Sequence, residues 1–484
     1  MSTTQQTTER PWLIQGGMGI GVSGWRLARA VGRTGQLGVV SGTALDTVVA
    51  RVLQNGDPGG HIRRALAAFP VAEIADAVRE RYFVEGGIED GERFLATPRM
   101  RADDDCPAQL LTIVGNFCEV WLAKEGHSGP IGINYLEKVQ LATVPAMFGA
   151  ILAGVDYVLV GAGIPAQIPS LATLLTLKQP VTAEVTVEGD DKPWQQHFDP
   201  ASVLRGVDVG DLRRPDVLAI VSLPVLASYL NRSEETRPDG FVVEGHTAGG
   251  HSAPPRGPLR LDENGEPVYG PKDIPDLAKM AALGLPFWVA GGQCGPERVA
   301  QARAAGAAGV QLGSVFALCE ESGLDPQLRR ELTERGLRSA SVARNDPAAS
   351  PTSFPFKVAD LPGTLSDPGV GAARRRVCDL GYLRTPYRTE RGGVGYRCPA
   401  EPKVAYLRKG GAVEQTEGRQ CLCNGLLAAI GLGQRRPHGY VEPPIVTIGQ
   451  DLGFLPRIAP DGAPYSAESV VRWLSSGVSP AARP

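Results

Sequence analysis

The chain lacks three things: an apolar run of the roughly 18 residues that a membrane span needs, an excess of either charge, and a high density of cysteine. The first absence argues against an integral membrane protein. The second removes an electrostatic case for nucleic acid or a membrane surface, since 49 Lys+Arg face 52 Asp+Glu for a net charge of −3. The run Arg374-Arg375-Arg376 is too short to change that and reads as a solvated helix end or loop. The third excludes a disulfide scaffold, with eight cysteines in 484 residues. Residues 1–10 are polar and carry no apolar core of a signal peptide. They read as a disordered tail on a cytoplasmic protein.

What is present suits a large globular fold: 43% hydrophobic and 21% charged residues, with 60 Gly and 40 Pro to serve many loops. Short apolar runs alternate with helical stretches. Strands are expected at Pro11–Gln15, Leu37–Val40, Ile131–Tyr135, Tyr157–Val160, Thr182–Val187, Val217–Val221, Phe241–Val243, Phe287–Ala290 and Gly309–Leu312, most followed by a helix. Strands alternating with helices build βαβ units, and eight of them close a (β/α)8 TIM barrel with its active site at the C-terminal strand ends. From Ser339 the text changes. Asn345–Gly369 is rich in Pro, Ser and Asp, and turns dominate beyond it. The expected division is a barrel over 11–339 and an irregular, cysteine-containing C-terminal module over 340–484, packed on the barrel as a lid, a dimerisation surface or a metal site.

The richest motif is Gly240-Phe-Val-Val-Glu-Gly-His246-Thr-Ala-Gly249-Gly250-His251, a short strand that ends in a glycine turn with two histidines. Glycine pairs let a backbone pass close to a flat ligand, and a histidine just beyond can move protons near neutral pH. Spacing alone leaves open a tight turn with two surface histidines. Ala290-Gly291-Gly292 and Gln311-Leu312-Gly313-Ser314 each end a strand, and adjacent turns of this kind form an anion site in a barrel. Gly19-Ile-Gly21-Val-Ser-Gly24 fits a dinucleotide-binding turn. The acid that should close the next strand is missing, so the stretch reads as a cofactor-facing loop. Asn134 ends its strand with a carboxamide that can both donate and accept.

Together, Gln15-Gly16-Gly17-Met18-Gly19, Gly132-Ile133-Asn134, Ala248-Gly249-Gly250-His251, Ala290-Gly291-Gly292 and Gln311-Leu312-Gly313-Ser314 resemble the nitronate monooxygenase (2-nitropropane dioxygenase-like) family, which is related to flavin-dependent enoyl reductases. The resemblance spans about residues 11–340. It implies a barrel that binds FMN, with Gly291, Gly292, Gly313 and Ser314 at the phosphate. Gln15, Gly16, Gly17, Met18, Asn134, Gly249, Gly250 and Gln311 would line the rest of the cofactor, and His251 would be the catalytic histidine. The implied reaction is oxidative denitrification of an alkyl nitronate or nitroalkane with O2. An NAD(P)H-dependent reductase of an enoyl thioester or quinone would use the same pocket.

The chain departs from that pattern in two places: Thr247 stands where an acid is usual, and His246 where an apolar residue is usual. His246 is therefore a second catalytic candidate. Arg256, Glu184 and Ser222 are further pocket candidates. Cys378, Cys398, Cys421 and Cys423 crowd one late segment and could hold zinc or an iron–sulfur cluster, although the spacing lacks paired C-x2-C knuckles. Buried apolar cysteines are the competing reading. A non-catalytic metal- or thiol-binding regulatory protein is the third functional reading, and a homodimer is compatible with all three.

Overall fold

The computed structural model describes residues 10–102, 106–339 and 342–478. Nine of the ten residues expected as a tail lie outside that range. Eight strands close a parallel barrel: β1 (Leu13–Gln15), β2 (Leu37–Ser41), β3 (Ile131–Leu136), β4 (Tyr157–Gly161), β5 (Asp216–Val221), β6 (Gly240–Glu244), β7 (Phe287–Ala290) and β8 (Gly309–Leu312). Each pairs with its neighbours in chain order, and β8 returns to β1 with Val310 opposite Leu13. Strands covered on both faces must be apolar throughout, and Leu37–Ser41 and Phe287–Ala290 are buried at every position. Ile14, Val39, Leu159, Leu218, Val242 and Trp288 form their own cluster, the layer that fills the ring. Trp288 Nε1 donates to the Pro11 carbonyl at 2.8 Å, so even the indole N–H of this layer is satisfied.

One expected barrel strand lies elsewhere. Val181–Val185 pairs antiparallel with Trp194–Phe198 in a hairpin separate from the ring. Its burial alternates residue by residue. A strand with one polar face cannot sit between two covered faces, which reduces the nine expected strands to eight. Glu184 is exposed on that hairpin and leaves the set of pocket candidates.

The helices follow the strands as expected, with ends displaced by a few residues; Gln140–Leu152 and Pro326–Arg338 are examples. Cys106–Lys124 is long and apolar enough to cross a membrane, which the reading of the sequence had missed. Seventy-two per cent of its most apolar window is buried inside the fold.

Residues beyond 342 build three short hairpins and several one- or two-turn helices. They do not form a single core of their own. Val446, Ile448, Leu452 and Phe454 share a cluster with Leu312, Val315 and Phe316 next to β8. The last helix, Ala467–Ser475, starts at Ser466, whose hydroxyl accepts from the Ser469 N–H, and buries Val470 and Leu474 in the same cluster as Leu27 and Val31 of the first helix, Trp25–Gly32.

The first helix meets β2 at Gly38, where an added Cβ would stand 1.9 Å from the Ala28 carbonyl oxygen. Gly38→Ala should therefore cost about 3 kcal/mol, the upper end of overpacking penalties. Denaturant unfolding checks this, and a variant as stable as the parent would disprove the tight contact.

Candidate active site

The loops after β1, β6, β7 and β8 meet at the C-terminal mouth of the barrel. Gly16–Gly19, Thr247–Gly250, Ala290–Cys294 and Gln311–Val315 line a cleft of about 860 Å³. Gly291 and Gly292 adopt φ of +88° and +64°, a region that side chains with a Cβ disfavour. A Cβ at Gly291 would stand 3.0 Å from the Gly245 carbonyl oxygen. A second space of about 970 Å³ shares Gly17, Gly249, Gly250 and Gln311 with the first and continues past Asn134 and Ser41. A third cleft of about 950 Å³ lies on the other side of Glu244 and His251, bounded by Ile220, Ser222, His246, Tyr269, Arg256 and Phe354.

Most of the sequence-derived candidates converge here. Gly16, Gly17, Met18, Gly249, Gly250, Gly291, Gly292, Gln311, Gly313 and Ser314 all line the first cleft, and Asn134 the second. Both histidines face the third, joined by Ser222 and Arg256. Gln15 does not take part. Its carboxamide is fully buried, accepts from the Val39 N–H at 3.1 Å and donates to the Val39 carbonyl at 3.2 Å, so it ties β1 to β2. The loop Gly19–Gly24 also departs from a dinucleotide turn. The helix it opens has its Trp25 N–H bound to the buried Glu119 carboxyl at 2.9 Å, where a phosphate would otherwise bind.

His251 is held from two sides. Its Nε2 is 2.7 Å from the Ser350 hydroxyl, and its ring meets Phe356 edge-on at 4.8 Å. Burial pushes its pKa down to about 4, and Lys138 adds to the effect. The ring is therefore neutral at physiological pH. His246 stacks on Tyr269 at 4.3 Å, and burial lowers its pKa as well.

Two residues that matter here drew no attention in the sequence. Glu244, at the end of β6, lines all three spaces, and burial pushes its carboxyl up to about 7. Lys357 is wholly buried, and its ammonium donates to the His246 carbonyl at 2.7 Å and the Ser252 hydroxyl at 2.8 Å. Burial brings it down to about 8. Glu244 reads as an ordinary strand-end acid, and Lys357 lies in an apolar hairpin far along the chain, so only the fold reveals either one.

The late segment covers the mouth. The Gly449 N–H donates to Ser314 Oγ at 2.9 Å, the Gly250 N–H to Thr447 Oγ1 at 2.9 Å, and the Gln450 N–H to the Thr247 carbonyl at 3.2 Å. Tyr382, Leu422 and Leu426 form part of the wall of the second space, and the Tyr382 hydroxyl is anchored on Asp46 and Thr47.

This cradle fits a flavin mononucleotide. Its backbone turns are bare of Cβ atoms where a phosphate would approach, and the Gln311 Oε1 is buried without a hydrogen-bond partner among the described residues. Such an orphaned acceptor calls for a donor from a ligand or a bound water.

Residues 207–346, which include the histidine loop and the β7 and β8 turns, match the family model described as nitronate monooxygenase. Over this stretch, less than a third of its length, the chain is similar to that family. It is 38% identical over 102 residues to a probable nitronate monooxygenase of Bacillus subtilis, covering 21% of this chain and 27% of that protein. It is 28% identical over 136 residues to a (3aS,4S,5R,7aS)-5-hydroxy-7a-methyl-1-oxo-octahydro-1H-indene-4-carboxyl-CoA dehydrogenase of Rhodococcus jostii, covering 28% of this chain and 34% of that one. The chain thus spans about a third or less of the length of these curated relatives. Among solved structures it is similar to FabK from Thermotoga maritima, with 15% identity, 97% and 92% of the two chains covered and a TM-score of 0.49. A nitroalkane oxidase from Streptomyces ansochromogenes gives 16% identity, 97% and 96% coverage and a TM-score of 0.43.

The late cysteines come from three separate segments to line one small cavity, and burial pushes Cys378 up to about 11 and Cys398 up to about 12. Among the described residues, no three His, Cys, Asp or Glu side chains are grouped to hold a metal ion.

The state of His251 has a measurable consequence. The unfolded ring takes a proton near 6.5, whereas the folded ring resists until about 4, so acidification through that window destabilises the native chain through this group. Glu244 acts in the opposite sense: the folded carboxyl keeps its proton up to about 7 and the unfolded one loses it near 4.5, so its contribution falls as pH rises through that window. A ¹⁵N-histidine NMR titration should show one ring with a midpoint near 4 that disappears in His251→Asn. A midpoint at the ordinary value would contradict the buried, neutral state.

Proposed function

We propose that the protein is an FMN-dependent oxidoreductase of nitronate monooxygenase type, acting on an alkyl nitronate with O2. The observation that carries this reading is His251 and Glu244 standing on the boundary between the glycine-lined space and the largely apolar third cleft. Gly291, Gly292, Gly313 and Ser314 would hold the phosphate, with Gly449 fixing the Ser314 hydroxyl from the late segment. Gly17, Met18, Asn134, Gly249, Gly250 and Gln311 would lie along the ring system. When bound, FMN would supply the redox chemistry, and the chain supplies position and electrostatics.

The residues also favour one form of substrate over the other. A general base works best with a pKa near the operating pH, and a ring held near 4 falls well short of that. The preformed nitronate anion therefore fits better than the neutral nitroalkane. His251 then serves to orient the anion as a neutral hydrogen-bonding ring, steadied by Ser350. The stacked His246 and Tyr269, with Ile220 and Phe354, offer an apolar wall for the alkyl part. Arg256, at the rim, offers a cation to the anionic group. Glu244 is largely uncharged below about pH 7, so it repels an anion less than a free carboxylate would.

A second reading draws on the relative named as a carboxyl-CoA dehydrogenase. The same clefts would then serve an NAD(P)H-dependent reductase of an enoyl thioester or quinone.

An absorption spectrum of the purified protein should show flavin bands. Under anaerobic conditions an alkyl nitronate should bleach them, and NADPH and NADH should not; bleaching by a nicotinamide alone would favour the reductase. Turnover of the nitronate should exceed that of the neutral nitroalkane by about tenfold or more at neutral pH, and equal rates would restore a general-base role to His251. Gly292→Leu should lose FMN, because it places a side chain in the phosphate turn at a φ of +64°. Full occupancy in that variant, read as FMN released on denaturation, would move the cofactor elsewhere.

A further inference from the structure

We propose that Cys378, Cys398, Cys421 and Cys423 are the ligands of an iron–sulfur cluster set in the wall between the late segment and the main cleft. Of the eight cysteines, these four, drawn from three segments, line one small cavity. Cys423 and Leu422 border both this cavity and the space past Asn134, so the centre would adjoin the cleft directly.

The charge around the cavity is the second observation. Arg376, Arg384 and Arg419 are half-buried beside it, within electrostatic reach of Cys398 and Cys421, Cys378, and Cys398 respectively. None of the three pairs with a carboxylate among the described residues. Arg376 donates to the carbonyls of Pro399, Thr416 and Arg419, and Arg384 to those of Gly381 and Met100. Arg419 donates to the carbonyls of Gln415, Ala348 and Ser350 and to the Ser353 hydroxyl. The two acids on the cavity are already taken: Glu401 by Lys409 at 2.7 Å, and Asp379 by Arg436. Half-buried cations without counter-ions are costly, and an assembly of four thiolates on iron is anionic.

Four thiols on one cavity without a common metal point suit a cluster better than a single ion. Tetrahedral zinc needs all four sulfurs about 2.3 Å from one point, and no three of these side chains are so grouped. A cluster gives each thiolate its own iron, which holds the sulfurs further apart and fills the space between them.

The test uses the full chain, purified anaerobically and, if needed, reconstituted with ferrous iron and sulfide. Iron and acid-labile sulfide should appear in equal amounts, on the order of four each per chain for a cubane, with a low-temperature EPR signal after dithionite reduction. Cys378→Ser and Cys398→Ser should each lose most of that iron, and Cys319→Ala should keep it. Flavin is read separately as released FMN, so the two assignments stand or fall independently. If the serine variants do not fold, the iron and sulfide content of the parent decides. Stoichiometric zinc without sulfide, or four alkylatable thiols and no iron after reconstitution, would overturn the proposal.

Discussion

Closure of the barrel mouth by a segment remote in sequence is the constraint on which the rest of this structure depends. Thr447, Gly449 and Gln450 bond to two of the loops that form the cleft, through Gly250 and Thr247 after β6 and Ser314 after β8. The Lys357 and Ser252 N–H groups add two further backbone ties, to the Gly250 and Pro355 carbonyls. Glycine-rich loops have little of their own to hold them, because each glycine loses more freedom on ordering than any other residue. The late segment supplies that order, and in doing so divides the barrel mouth into adjoining clefts.

The same closure sets the electrostatics. Glu244, Lys357 and His251 are all buried where the late segment meets the barrel mouth. Under the late segment each is driven towards its neutral form, the carboxyl up and the two bases down, by loss of water. Lys357 remains tolerable because two oxygens receive its ammonium. The cleft therefore combines glycine turns free of Cβ atoms, a neutral imidazole and a carboxyl that titrates near 7.

Much of this was legible in the chain itself. Apolar runs such as Leu37–Val40 and Phe287–Ala290 announce strands buried on both faces, and their regular alternation with helices announces the barrel. The glycine pairs at 249–250 and 291–292 mark where backbone must approach something closely. Thr182–Val187 was misread because a short β-branched run is a good strand in either setting. Only its alternating polarity separates an outlying hairpin from a barrel stave. Gln15 was misread because a carboxamide beside a glycine turn serves a ligand or a neighbouring strand equally well. Cys106–Lys124 shows the converse limit, since length and apolarity cannot tell a spanning helix from one wrapped in other helices.

The sequence by itself determined the eight barrel strands in order and the turns that must stay free of side chains, because each depends on local periodicity or on the missing Cβ of glycine. Tertiary structure alone decided that Ser350 holds His251, that Lys357 and Glu244 are buried in or against the cleft and that four late cysteines share one cavity. Those facts rest on contacts between residues about 20 to 110 positions apart, and no local pattern encodes which distant segment will dehydrate a given side chain.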